Sequence, residues 1–168
     1  MMKKAASVFL RADIHEQDVA CLLDWLNDPE TTEFLSDGKK SANDLRRLIH
    51  HVPPHLWRMS LNGNGWFYMI EREGEAIGFI RLSEINAVSY EVVIALGDKN
   101  VRGKGYGTAA LKQCLQIAFF EQRARRVVAN IYPQNTRSLR LFEKLKFRRQ
   151  DNASSAVRYA LTYEQYIS

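Results

Sequence analysis

Arg102-Gly103-Lys104-Gly105-Tyr106-Gly107 sets three glycines in alternation with basic and aromatic residues. Upstream, residues 90–96 read as a strand. Downstream, Leu111, Cys114, Leu115 and Ala118 recur at helical spacing over about 105–122. The glycine turn therefore joins a strand to a helix. Without side chains its backbone N–H groups can approach an anion closely. The helix start adds the positive end of a dipole, and Arg102 and Lys104 add formal charge. A lone glycine here would be explained by a tight turn. Three in alternation, with two basic residues at a helix start, favour a phosphate site, and a pyrophosphate in particular.

Spacing tests two common phosphate motifs. A P-loop needs Gly-x-x-x-x-Gly-Lys-Ser/Thr. Counting from Gly97, the second glycine falls on Arg102; counting back from Gly103-Lys104, the first falls on Asp98, and Gly105 replaces the hydroxyl residue. The P-loop fails at each point. Gly105-Tyr106-Gly107-Thr108-Ala109-Ala110 matches the letters of a dinucleotide fingerprint. That fingerprint belongs in the first turn of a βαβ unit with an acidic residue about 20 positions on. Here the next strand opens with Arg125-Arg126, which leaves only an NADP-type variant as an alternative.

Outward from the turn, period-2 patterning marks strands at 66–72, 76–82 and 90–96, with Glu73-Gly74-Glu75 as the first turn and Asn86-Ala87 in the second. They form an antiparallel meander. Before it, residues 8–11 read as a short strand. Asp13 is the expected cap of a helix carrying Val19, Leu22, Leu23 and Leu26, limited by Pro29. Ser41 to Asp44 fits the start of a second helix with Leu45, Leu48 and Ile49 on one face, ended by Pro53-Pro54. After the glycine turn come a strand at 126–131, a helix at 135–146, and strands at 147–150 and 157–162. The order β-α-α-β-β-β-α-β-α-β-β describes a mixed α/β domain, not a regular βαβ repeat.

The bulk properties agree. A chain of 168 residues, 46% hydrophobic and 26% charged, suits one globular domain over residues 1–168. No stretch approaches the roughly 18 apolar residues of a membrane span. The basic start gives way at once to Arg11 and Asp13, which argues against a secretion signal. Cys21 and Cys114 sit in apolar helical patterns, as buried thiols in a reducing cytoplasm would. The net charge of +5 suits an anionic partner without choosing one.

The motifs together resemble the GNAT superfamily of N-acetyltransferases. That family has Arg/Gln-x-x-Gly-x-Gly/Ala between its fourth strand and third helix, and residues 102–107 match it fully. It also has Asn-x-x-Ser on the next helix and a Glu-Lys-x-Gly-Phe ending. Asn135, Ser138, Glu143, Lys144 and Phe147 match, while Lys146 stands where glycine is usual. The element order is the family's too. Trp25-Leu26-Asn27-Asp28-Pro29-Glu30 and Tyr90-Glu91-Val92 look like the ribosomal-protein-alanine acetyltransferases, a pattern shared with enzymes acting on polyamines, aminoglycosides and amino-sugars.

The resemblance implies a mixed, mostly antiparallel sheet of about seven strands, with helices on both faces and a splay between strands four and five. It implies acetyl-CoA as cosubstrate, with its pyrophosphate on the amides of Arg102, Gly103, Lys104, Gly105, Tyr106, Gly107 and Thr108 and its pantetheine arm along Leu96 and Gly97. Asn135 and Ser138 are expected at the cofactor. A neutral amine would attack the thioester directly. Glu91 is the candidate base or water-orienting group, set against a plain solvent-facing carboxylate. A backbone N–H from 94–96 would hold the oxyanion. Phe142 occupies the place of the family's acidic tyrosine, and Ser138 is the substitute acid.

Other residues have simpler accounts beside functional ones. His50, His51 and His55 are separated by prolines and lack a fourth ligand, so a loop is expected rather than a metal site. Asp28, Glu30, Glu33 and Asp37 could meet a cationic amine or form a solvated acidic loop. Trp57, Trp66 and Tyr68 could line an acceptor cleft or the core. Arg123, Arg125 and Arg126, with Arg137 and Arg140, are expected around an anionic cofactor rather than a nucleic acid. The chain is expected to be a monomer or homodimer without nucleic-acid or membrane partners. The competing readings are a non-catalytic acyl-CoA-binding module and an NADP-binding oxidoreductase.

Overall fold

Seven strands form one sheet in the computed structural model, which describes residues 6–33, 35, 38–97, 99–151 and 154–168, with backbone alone at 38–42. Phe9–Arg11 (β1) leads to Glu16–Asn27 (α1), Pro29–Thr32 (α2), Gly38–His51 (α3) and Trp57–Asn62 (α4). Gly65–Arg72 (β2), Glu75–Asn86 (β3) and Ser89–Leu96 (β4) are the meander. Tyr106–Gln116 (α5), Arg126–Ile131 (β5), Thr136–Lys144 (α6), Arg148–Gln150 (β6), Val157–Thr162 (β7) and Tyr163–Ile167 (α7) follow. The sheet order is β1-β2-β3-β4-β5-β7-β6, antiparallel throughout except for the β4–β5 pair. Glu73 and Gly74 take φ of 50° and 81°, the left-handed pair a two-residue hairpin turn requires.

Alternation along the meander divides the core. Tyr68, Ile70, Ile80, Leu82, Tyr90 and Val92 face α5, whose Leu111, Cys114 and Leu115 are buried against them. Phe67, Met69 and Phe79 face the opposite way and pack with Leu22 of α1 and Leu45 of α3. Helices thus cover both faces. Gly97, just past β4, lies where a Cβ would come 2.1 Å from the Trp25 ring, so only glycine lets the α1 indole cross the strand end. Among the described residues no helix is long and apolar enough to cross a membrane.

Several boundaries differ from the sequence reading. The first helix is capped at His15, not Asp13: the Asp18 carboxylate reaches back to the His15 N–H at 2.6 Å. The third helix begins at Gly38, ahead of the Ser41 cap expected for it, because the apolar stripe that marks it does not extend into its first turn. After Pro53 the chain forms helical turns instead of a loop; the Trp57 indole N–H anchors them on the Val52 carbonyl at 3.0 Å. Past Gln116 the helix widens into a π turn at Ile117–Glu121, closed by the Gln122 N–H on the Ile117 carbonyl. The closing helix α7, held by a Thr162–Gln165 capping box, carried no apolar repeat long enough to announce it.

Arg11 ties β1 to α1 and β2. Its guanidinium donates to both Asp18 oxygens, at 2.6 and 2.8 Å, and to Glu71 at 2.6 Å. Burial raises the Asp18 carboxyl, but the bonds from Arg11 and the His15 N–H outweigh it and leave the group below its ordinary range. A carboxyl depressed in the fold adds stability above its unfolded pKa of about 3.9, and that stability is lost as pH falls through the lower folded value. Urea unfolding between about pH 6 and pH 3 should therefore show a steeper loss of stability for the native chain than for Asp18→Asn. Equal slopes would remove Asp18 from the acid limb.

Candidate functional site

β4 and β5 pair only at Ser89↔Arg126, Tyr90↔Val127 and Glu91↔Val128, and beyond Glu91 they diverge. The Gly97 N–H donates to the Ile77 carbonyl at 2.8 Å. Antiparallel pairs alternate, so that bond fixes the phase of β4: Ala95 and Val93 bond to β3, while the backbone groups of Ile94 and Leu96 face the gap. Two clefts open from this split, of about 690 and 340 Å³. Ile94, Asn135 and Ser138 line both, so the clefts meet at the splay.

The larger cleft ends on the glycine turn. Gly103 and Gly105 have φ of 74° and 87°, which already favours glycine. Gly107 is different. It lies inside α5, and a Cβ there would make only ordinary contacts, 3.6 Å from Leu141 and 3.8 Å from Leu96. The first helical bond at this end runs from the Ala109 N–H to the Gly105 carbonyl at 3.1 Å. The N–H groups of Tyr106, Gly107 and Thr108 precede it, as the free donors of a helix start. Gly103, Gly105, Gly107 and Thr108 line the cleft, with Arg137, Arg140 and Lys144 of α6 opposite.

Arg102 lines this cleft too, but its guanidinium is turned back. It donates to the Leu96 carbonyl from Nη2 at 3.0 Å and Nε at 3.3 Å, and to the Thr31 hydroxyl at 3.3 Å. It therefore braces the end of β4 against α2. The Lys104 side chain is exposed and outside the cleft lining. Tyr106 turns to β2, where Arg72 sits 5.4 Å over its ring. Gly97 likewise serves packing, under Trp25.

On α6, the Asn135 side chain caps the helix by accepting the Ser138 N–H at 3.2 Å. That fixes both residues at the junction of the clefts. Phe142 is buried, edge-on to Phe147 at 4.9 Å, and lines the smaller cleft without a proton to give. Lys146 holds the left-handed φ of 73° that glycine would take, at a cost of about 1 kcal/mol. Its ammonium bonds to the Ser168 carbonyl at 2.8 Å.

The smaller cleft carries Glu91. Its carboxylate accepts the Asn130 amide at 2.8 Å, across the last paired step of β4 and β5. Arg81, Tyr132, Ser154 and Ser155 line the same cleft. None of these four was singled out from the sequence. Arg81 and Tyr132 sit in or beside strands whose alternation reads as core, and the serines lie in a loop without pattern.

A family model described as acetyltransferase (GNAT) domain matches residues 8–148. The chain belongs to the GNAT acetyltransferase family. It is 24% identical over 148 residues to an uncharacterized N-acetyltransferase, p20, of Bacillus licheniformis, covering 83% of this chain and 78% of the relative. Its fold is similar to that of aminoglycoside acetyltransferase AAC(6')-Ib in complex with coenzyme A and kanamycin, with a TM-score of 0.76, 22% identity, and 96% and 98% of the two chains covered. It is also similar to the Campylobacter jejuni N-acetyltransferase PseH in complex with acetyl coenzyme A, with a TM-score of 0.67, 15% identity, and 94% and 99% covered.

As a GNAT enzyme the chain shows the expected splay and sheet, but some expectations do not hold. The basic cluster divides. Arg137 and Arg140 line the larger cleft, whereas Arg123, Arg125 and Arg126 lie at the opposite end of β5, where Arg125 pairs with Glu164 at 3.8 Å and Arg126 bonds to Gln150. Asp28 caps α2 on the Glu30 N–H, and Glu30 pairs with Lys99 at 2.8 Å; Asp37 lies outside the described residues. His50, His51 and His55 are exposed on helical turns, and among the described residues no three His, Cys, Asp or Glu side chains gather. Trp57 and Tyr68 are buried, and Trp66 packs on Tyr90 at 5.9 Å, so these aromatics serve packing. Cys114 is fully buried, its thiol pushed up to about 12.

Proposed function

We propose that the protein transfers an acetyl group from acetyl-CoA to a primary amine, by direct attack in a ternary complex. The carrying observation is the meeting of two unlike clefts at the splay: a cradle of N–H groups ends one, and a carboxylate stands in the other. The donors at 103–108 take the pyrophosphate, and Arg137, Arg140 and Lys144 supply counter-charge. Gly107 supports this reading, because its backbone angles and neighbours leave room for alanine and a close ligand does not. The pantetheine arm runs along the Ile94 backbone groups and the Leu96 N–H that β5 leaves open, the Leu96 carbonyl being held by Arg102.

In this reading the amine nitrogen attacks the thioester carbonyl from the smaller cleft. Glu91, directly or through a water, takes the amine proton. An Ile94 or Leu96 N–H holds the oxyanion. The carbon–sulfur bond breaks and the thiolate takes a proton from water in the cleft, relayed through the Ser138 hydroxyl, which regains its own proton as it gives one up, in place of a tyrosine. Asn135 positions Ser138 through the helix cap. The segment Trp25 to Glu30 and the triplet Tyr90-Glu91-Val92 support placing protein N-termini, as for the ribosomal-protein-alanine acetyltransferases, among the acceptors beside polyamines, aminoglycosides and amino-sugars. The enzyme acts as a single domain, monomer or homodimer, in the cytoplasm.

Calorimetric titration with acetyl-CoA, with NADPH in parallel, tests the first half. Saturable one-to-one binding of acetyl-CoA and none of NADPH is the expected result; the reverse would overturn the reading. Release of free CoA thiol on adding amines tests the second half. Tight acetyl-CoA binding without thiol release over peptides, polyamines and aminoglycosides would leave an acyl-CoA-binding module.

A further inference from the structure

The smaller cleft contains a cation, Arg81, that has no partner among the described residues. Arg81 lies on β3 directly opposite Val93, while Glu91 pairs with Ser83. Arg81 and Glu91 are therefore diagonal neighbours on one face of the sheet, with backbones about 7–8 Å apart. Opposite charges at that spacing on long side chains are within reach of each other. They do not pair. The Glu91 carboxylate turns to the Asn130 amide across the split. Among the described residues Arg81 makes no ion pair, and its Nε is buried without a hydrogen-bond partner.

A guanidinium that is half-buried and unpaired loses hydration without recovering it in the protein. Its surroundings do nothing to help: Phe67 is its partner on β2, Val93 its partner on β4. Retaining it costs stability unless something else supplies the missing acceptors. Arg81 lines the smaller cleft, which gives an anion a way to reach it. The same cleft holds a single described carboxylate, Glu91, which the proposed reaction already uses.

We propose that the acceptor amine carries an anionic group, a carboxylate or a phosphate, which Arg81 binds while the amine stands at Glu91. The proposal rests on the acetyltransfer reading and narrows its substrate class. A spacer of about four carbons, which spans a distance comparable to that diagonal, is the first probe length. A polycationic acceptor would bring a second ammonium toward Arg81, and like charges at that range repel.

The test uses four butyl amines that differ in one end group: 4-aminobutyrate, 4-aminobutyl phosphate, butylamine and 1,4-diaminobutane. CoA thiol release is followed with the native chain, Arg81→Gln and Arg81→Lys. A charge-assisted contact in a partly buried site is expected to raise kcat/KM of an anionic amine about tenfold or more over butylamine, mainly through KM. The ratio of carboxylate to phosphate then names the anion. Arg81→Gln should shrink the anionic-to-butylamine ratio to less than about twofold, and Arg81→Lys should restore part of it. Preference for butylamine or 1,4-diaminobutane, or an equal loss on all four amines in Arg81→Gln, would overturn the proposal. If acetyl-CoA binds and no amine is acetylated, the transfer reading fails by itself. The protein–CoA complex is then titrated with 4-aminobutyrate, 4-aminobutyl phosphate and butylamine. Arg81-dependent binding of either anionic amine keeps the anion site, and binding of neither overturns it.

Discussion

Gly105→Asp is expected to weaken acetyl-CoA binding by about 100-fold or more. Gly105 is the N-cap of α5 and has a φ of 87°. Aspartate tolerates left-handed angles better than most residues, so part of the backbone strain is avoided. Its carboxylate would stand at the helix start, among the donors assigned to the pyrophosphate. Like charges about 4 Å apart in a partly screened site repel by about 4 kcal/mol, and about 2.7 kcal/mol is already 100-fold in affinity. Gly105→Asn is the control: it has the same shape and backbone tolerance without the charge. A large loss in the aspartate variant alone isolates electrostatics at the cradle. Equal losses in both would point to steric or backbone damage, and retained affinity in both would move the phosphate site elsewhere. Gly107→Ala adds an independent reading, because alanine is the better helix former by up to about 1 kcal/mol. A more stable protein that binds acetyl-CoA less tightly is the outcome that only close ligand approach explains.

Local chemistry explains which parts of this molecule were legible in the sequence. The strand–turn–helix around Gly105 was readable because glycine at alternate positions is costly without a reason. The strands at Arg126–Ile131 and Val157–Thr162 were readable to the residue, because short apolar runs carrying Val127, Val128 and Ile131, and Val157, Tyr159 and Leu161, stand there between polar breaks. The helical turns after Pro53 were not, because their stability comes from one buried indole and its hydrogen bond, a tertiary contact without periodicity. The roles of basic residues were the least legible. Arg102 reads as a phosphate ligand, yet the fold spends its guanidinium on the Leu96 carbonyl and Thr31. Arg125 and Arg126 read as companions of the turn across α5 but sit at the far end of β5, because a parallel strand pair must begin at the same end. Arg81 lay unremarked in a strand pattern. The sheet register sets it beside Glu91, in the cleft that opens where β5 diverges.

Glu91→Gln should lower kcat by about 100-fold while leaving the affinity for acetyl-CoA unchanged, as expected for loss of a general base. The substitution keeps the shape, and a glutamine oxygen still accepts the Asn130 amide, so the last paired step of β4 and β5 survives. The pH dependence separates the competing roles. An alkyl ammonium loses its proton near pH 10, so a base matters most at neutral pH, where little free amine exists. If Glu91 removes that proton, the gap between native and variant rates narrows steadily as pH rises toward the amine's own pKa. If Glu91 only supports the split through Asn130, the gap is constant with pH, and Asn130→Ala reproduces it. An undiminished rate in Glu91→Gln removes the residue from the chemistry altogether. The position of Glu91 gives the first outcome its physical basis. It is the last residue of β4 that β5 still pairs, so the strand geometry that opens the cleft also fixes the carboxylate at its edge.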